Sequence, residues 1–204
     1  VRNISRTEML ALEHTAQDWL AKNAPSMKTA GARPSVMIAH IGQRNIISML
    51  TGTTVALVLI SGILIIALQS FKIGCMSLIP NLAPAAMGFG LWGLLVGEVG
   101  LGLSVVAGMT LGIVVDDTVH FLSKYLRARR EQQLSPEDAV RYAFSTVGTA
   151  LLVTSMVLIA GFMVLSQSPF KLNADMGVLT AITIAFALIA DFLFLPPLLM
   201  KVEK

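Results

Sequence analysis

Five stretches of this chain, each about 20 residues or longer and nearly free of charge, constrain its fold more than any other feature. They run approximately from Ile46 to Gln69, Gly74 to Gly97, Leu101 to Lys124, Ala143 to Ser166 and Ala174 to Met200. Hydrocarbon offers no partner for backbone N–H and C=O groups, so a segment that crosses it must bond its own backbone, as a helix does. Five such windows joined by short connections predict an all-α polytopic bundle in which successive helices are antiparallel neighbours. The chain's 204 residues are 55% hydrophobic and only 13% charged. Soluble domains carry about 25% charge, so lipid is the expected solvent for most of these side chains.

The same windows divide the chain. Residues 1–45 are polar enough to lie in water, residues 46–200 form the bundle, and residues 201–204 are a short tail. The basic residues Lys124, Arg127, Arg129, Arg130 and Arg141 gather between the third and fourth spans, while the connections near Glu98 and Lys171 hold little positive charge. By the positive-inside rule the basic connection is cytoplasmic. Alternation then places Lys72, Lys201 and Lys204 on the cytoplasmic side and residues 1–45 outside. An external first segment with no helix leading to it is hard to translocate, so an upstream part of the chain is expected. The formal charge of +3 is small and scattered, which argues against nucleic acid as a partner. Cys75 is the only cysteine, so no internal disulfide forms. Asn3-Ile4-Ser5 matches a glycosylation triplet that arises easily by chance and carries no weight.

Local signals fill in the ends. Ser5-Arg6-Thr7-Glu8, followed by Met9, Leu10, Leu12, Trp19 and Leu20, predicts a capped amphipathic helix that covers a domain core and ends near Pro25. Ser135-Pro136-Glu137-Asp138 predicts a helix start, with serine as N-cap and proline at the first helical position. Pro80 and Pro84 should bend the second span, and Pro196-Pro197 should end or distort the fifth.

Chemistry concentrates in the third span. Gly108, Gly112, Asp116 and His120 recur every four residues and share one helix face. Asp117 lies about 100° round from Asp116 and three residues before His120. An ionised Asp at the centre of a membrane helix costs about 2.5–3.5 kcal/mol on insertion scales. An adjacent acidic pair is therefore expected to carry protons or to be reached by water and a partner, while the glycines let another helix approach. The plainer alternative is a polar packing contact near the basic connection. Asp191 in the fifth span is a second deep acid that either joins the same path or anchors the helix end. Thr110, Thr118, Thr146, Thr149, Thr154 and Ser155 offer hydroxyls, although such groups usually bond their own helix backbone.

The run Gly112-Ile-Val-Val-Asp116-Asp117-Thr-Val-His120-Phe-Leu resembles the GxxxD segment in the tenth helix of resistance-nodulation-division (RND) transporters, in the branch of MMPL-type lipid exporters and their Patched-like relatives. The order of the remaining signals is similar too: a basic connection, a Ser-Pro-Glu-Asp helix start, and a closing Asp191-Phe-Leu-Phe-Leu-Pro196. The resemblance implies that the five spans are helices eight to twelve of a twelve-helix transporter, preceded by the end of an α+β external porter domain. It implies proton-driven export of lipids or other hydrophobic or amphiphilic molecules from the inner (cytoplasmic) membrane. Asp116 would be the principal proton carrier, with Asp117 and His120 tuning it, Asp191 and Thr110 as a secondary relay, and Gly108 and Gly112 as packing positions. Protons would be the coupling ion, with no other cofactor and no metal. The partners implied are membrane lipids, the lipid-like substrate, the N-terminal half of the same transporter, and further copies of it. Many relatives carry a tyrosine where this chain has Asp117, so the relay is expected to be wired differently. Two other readings stay open: a non-transporting Patched-like lipid receptor or scaffold, and an intramembrane hydrolase using Asp116, Asp117 and His120.

Overall fold

The computed structural model describes residues 6–24, 34–97 and 101–202, and every regular element among them is helical. In chain order these are α1 (Arg6–Asn23), α2 (Pro34–Leu68), α3 (Phe71–Met76), α4 (Leu78–Leu95), α5 (Leu101–Glu131), α6 (Pro136–Ala143), α7 (Thr149–Leu165), α8 (Lys171–Ile189) and α9 (Leu195–Val202). Two π-helical turns join them, Phe144–Gly148 between α6 and α7 and Ala190–Phe194 between α8 and α9. Five of the resulting helical runs are long and apolar enough to cross a membrane: Ile47–Ile66, Phe71–Leu95, Leu103–Glu131, Pro136–Leu165 and Lys171–Lys201. These are the expected five, and the last three are longer than the apolar windows alone suggest.

The chain divides into two units, one ending at Leu50 and the other beginning at Thr51. In the first unit, His40 Nε2 lies 2.7 Å from Glu13 Oε2, tying the start of α2 to α1. Helix α1 ends where the Asn-Ala-Pro sequence predicts. Its N-cap signal at Ser5 lies outside the described residues. Leu12 and Trp19 are 57% and 62% exposed, so the apolar side of α1 covers no core among the described residues. No strand occurs among them either, so the expected α+β porter domain is not shown.

In the second unit α5 is the central element, packed against α4, α6, α8 and the first π turn. The reason lies in its spacing. Val106, Thr110, Val114, Phe121, Leu122, Tyr125 and Ala128 are all buried, and their three- and four-residue intervals hold them on a broad inward face. The structure corrects one expectation here. The long basic connection after the third span is mostly helix, since α5 continues to Glu131 and α6 starts at Pro136. Tyr125 and Ala128 extend the inward face past the apolar window and, with Phe121 and Leu122, belong to one cluster with Ala139, Val140 and Ala143 of α6 and Leu195 and Leu199 of α9. Ser135 caps α6 as its sequence predicts, its hydroxyl accepting from the Asp138 amide at 3.2 Å.

The spans that carry prolines are distorted rather than ended. The second span breaks at Ser77 into α3 and α4, and Pro84 is carried inside α4. Pro196 and Pro197 do not end the fifth span. They lack the N–H groups that would bond the Phe192 and Leu193 carbonyls in an α-helix, and the chain answers with the π turn just before them. There the Leu195 amide reaches back five residues to the Ala190 carbonyl. Close approaches fix the packing of α8. A Cβ added at Gly88 of α4 would collide with the Thr183 hydroxyl, and one at Gly177 would stand 2.7 Å from Phe162 O and Ser166 N, both backbone atoms.

Candidate functional site

Helix α5 is buried on most sides, yet one line along it is uncovered: Gly108, Gly112, Asp116, His120 and Arg127 are all exposed. The four-residue stripe expected from the sequence is therefore real as a face, but its acid is not enclosed by the described residues. The Asp116 side chain is 73% exposed and that of His120 61%, and Asp116 Oδ1 lies 3.6 Å from His120 Nε2. The physical reason is that no described helix lies along this side of α5 at the level of the acid. The glycines behave unequally. A Cβ at Gly108 would come within 3.5 Å of Thr53 Oγ1 on α2, whereas one at Gly112 would meet nothing within 4 Å among the described residues.

The next residue points elsewhere. Successive residues turn by about 100°, so Asp116, Asp117 and Thr118 address three different sides of α5. Asp117 is half-buried and turns toward α7, where Ser155 donates a hydrogen bond to its Oδ2 at 3.3 Å. Thr118 is sealed on the third side and its hydroxyl lies 3.0 Å from Asp191 Oδ1, and 3.1 Å from the Val114 carbonyl. Asp191, 3% exposed, sits inside the second π turn. One helical level of α5 thus carries a polar layer running from an open face through the bundle to its sealed side.

Between α5 and α7 a cleft of about 700 Å³ opens at this level. Asp116, Asp117 and His120 form its polar end, and Ile113, Val147, Leu151, Val153, Val157 and Leu158 its apolar walls. That combination, an apolar groove with a few convergent polar groups, is what small-molecule sites usually present. Phe121 and Phe144 stack edge-on with ring centroids 4.9 Å apart, and Phe144 meets Phe192 at 5.2 Å, so an aromatic row ties α5 to both π turns beside the acids.

The other sequence candidates separate from this centre. Thr110 is buried and donates to the Val106 carbonyl at 2.7 Å, two turns away from the acids. Thr146 and Thr154 likewise bond backbone carbonyls one turn back, those of Tyr142 and Ala150. Ser155 bonds a carboxylate instead, and Thr118 reaches a carboxylate as well as the carbonyl one turn back. Sequence reasoning did not single them out, because hydroxyls of both kinds look alike in a sequence. It missed Asn81 of α4, which is 1% exposed and has neither side-chain amide atom hydrogen-bonded among the described residues, and Thr180 of α8, whose buried hydroxyl oxygen is likewise without a partner among them. Among the described residues no group of three or more His, Cys, Asp or Glu side chains could hold a metal ion.

The sequence profile of the MMPL family matches residues 11–202, nearly the whole chain. The chain belongs to the MMPL family. This MMPL chain is also 28% identical over 152 residues to a protein of Methanocaldococcus jannaschii that is named only as a membrane protein. The match takes in 74% of the chain and 39% of that relative, so the chain spans well under half of the relative's length. Family membership and five membrane-length helices together make this a multi-pass membrane protein.

Proposed function

We propose that this chain is the C-terminal membrane bundle of a proton-driven exporter of lipids or other hydrophobic or amphiphilic molecules, and that Asp116, assisted by Asp117 and His120, carries the coupling proton. The observation that carries this reading is the open face of α5, where a carboxylate and an imidazole 3.6 Å apart are presented at a depth where lipid would otherwise surround them. Counted from Leu103, Asp116 lies about 20 Å along a helix that rises 1.5 Å per residue, well inside a hydrocarbon layer of about 30 Å. Ionised acids facing lipid are costly and are usually turned toward a protein partner or water. The partner we assign is the N-terminal half of the same transporter, with Gly112 supplying the flat contact that small residues give in membrane packing. Further copies of the transporter are a second proposed partner.

In this scheme the basic ends of α5 and α6 face the cytoplasm, the N-terminal segment faces outward, and the host membrane is the inner membrane. Protonation of Asp116 from outside removes a buried charge and allows α5 to close against its partner, and release to the cytoplasm reverses the step. A proton crossing 100 mV contributes about 2.3 kcal/mol, comparable with the roughly 1–3 kcal/mol by which distant sites are commonly coupled. Asp191, held by Thr118, is a secondary proton position in this scheme. The buried Thr110 is left out of it, since its hydroxyl is engaged by its own helix.

The test is export of native lipid extract from proteoliposomes holding the transporter, with Asp116 intact or replaced by Asn, and proton flux followed in the same vesicles. The expected result is joint loss of flux and export with folding retained. Export that persists without flux would defeat proton coupling through Asp116 and favour a receptor or a different energy source.

A further inference from the structure

We infer that Asn81, Thr118 and Asp191 enclose a small hydrated site on the sealed side of α5, in which bound water joins the Asn81 amide to the Asp191 carboxyl. The inference does not depend on the direction or driving force of transport.

Packing register brings the three residues to one level. Gly88 of α4 and Thr183 of α8 are in such close contact that a Cβ on the glycine would collide with the threonine hydroxyl. These helices belong to the second and fifth spans, so in an alternating bundle they run in opposite directions. Asn81 is seven residues from Gly88, and Ala190 is seven residues from Thr183 toward the same end. Seven residues are close to two full turns, about 10 Å, and return to nearly the same helix face. Asn81 therefore faces the turn that begins at Ala190, and α4 does pack against that π turn. Asp191 is the next residue in it, with Thr118 on its other side at 3.0 Å.

The chemistry then selects water. Asn81 is 1% exposed and both its side-chain nitrogen, a donor, and its side-chain oxygen, an acceptor, are without a partner among the described residues. A metal ion would satisfy only the oxygen, and would leave the N–H groups bare. Water accepts from the amide nitrogen and donates both to the amide oxygen and to a carboxylate, and buried waters typically bridge several otherwise unpaired polar groups. Thr118 adds a second reason. Its single hydroxyl hydrogen is within reach of both Val114 O, at 3.1 Å, and Asp191 Oδ1, at 3.0 Å, and can serve one of them at a time. When it serves the backbone, the buried carboxyl needs another donor. The π turn supplies room, because its wider ring departs from regular α-helical packing at this point.

The experiment is infrared difference spectroscopy of the intact protein in proteoliposomes on exchange of ordinary water for H2(18)O, with thermal unfolding measured in parallel. Asp191→Asn identifies which bands belong to that carboxyl. Expected are a water O–H stretching band that shifts with the heavy isotope, moves in Asp191→Asn and disappears in Asn81→Leu, together with a lower melting midpoint for Asn81→Leu. Absence of an isotope-sensitive band lost in Asn81→Leu overturns the inference. So does a melting midpoint at or above wild type, which is how a dry, unpaired amide responds to an apolar replacement. Should Asn81→Leu fail to fold, Asn81→Ser is read instead: a shifted water band supports the site, and an unchanged spectrum overturns it.

Discussion

Replacing Gly177 by alanine, and Gly112 by alanine as its companion, tests the packing of α8 with an internal control. A Cβ at Gly177 stands 2.7 Å from the Phe162 carbonyl oxygen and from the Ser166 amide nitrogen, whereas ordinary contact begins near 3.4 Å. Both obstacles are backbone, so no rotamer relieves them and the two helices must separate by about 0.7 Å at this point. Overpacking of this kind costs roughly 1–3 kcal/mol. Alanine is otherwise the better helix former by up to about 1 kcal/mol. At Gly112 the same change meets nothing within 4 Å among the described residues, so only the favourable part remains. Subtracting one variant from the other cancels the helix preference and isolates the clash, which predicts that Gly177→Ala is less stable than Gly112→Ala by about 1–3 kcal/mol. For a chain of this length that is a gap of roughly 2–12 °C in melting midpoint, read by circular dichroism of the 204-residue chain in detergent. A Gly177→Ala protein that melts with or above Gly112→Ala would refute the close approach of α7 and α8.

In the longer transporter, Gly112→Ala should reduce export several-fold while leaving the stability of this bundle intact, because the added methyl obstructs the helix proposed to lie on that face. Thr118→Val removes a buried donor to Asp191 and should cost about 1.5–3 kcal/mol, but under 0.5 kcal/mol when Asp191 is already leucine, as a double-mutant cycle in chemical unfolding would show. Ser155→Ala loses the weaker 3.3 Å bond to Asp117 and should cost about 0.5–1.5 kcal/mol. Ser135→Ala removes the N-cap of α6 and should destabilise by about 1 kcal/mol, visible as faster hydrogen exchange in the first turn of that helix.

Much of this architecture is legible in the sequence, for reasons of solvent. Apolar length alone marks the five spans, since a chain in lipid has few ways to satisfy its backbone. The Gly108, Gly112, Asp116, His120 stripe is equally legible, because helical periodicity fixes which residues share a face. Periodicity does not say what covers that face, and among the described residues the Asp116 side chain stays largely uncovered. The π turns escape a sequence reading that spaces residues at 3.6 per turn. Without them the alignment of Asp191 with Thr118 cannot be anticipated. The helical continuation of α5 to Glu131 was masked by its charge, which marks the edge of the apolar window but does not end a helix whose inner face stays apolar at Phe121, Tyr125 and Ala128. Asn81 gave no signal, since one amide beside two prolines looks like a turn residue until its burial is known.

The most direct test of the account is whether water reaches the Asp116 face inside the assembled transporter. With Cys75 replaced by serine, Asp116→Cys and, as a lipid-facing control, Val58→Cys on the 68% exposed side of α2 would each be treated with a small hydrophilic thiol reagent and with a membrane-soluble one. A proton-carrying face predicts that position 116 reacts with the hydrophilic reagent and that position 58 reacts only with the membrane-soluble one. Equal silence of both positions toward the hydrophilic reagent would mean that Asp116 faces lipid or dry protein, and would contradict its role as a proton carrier.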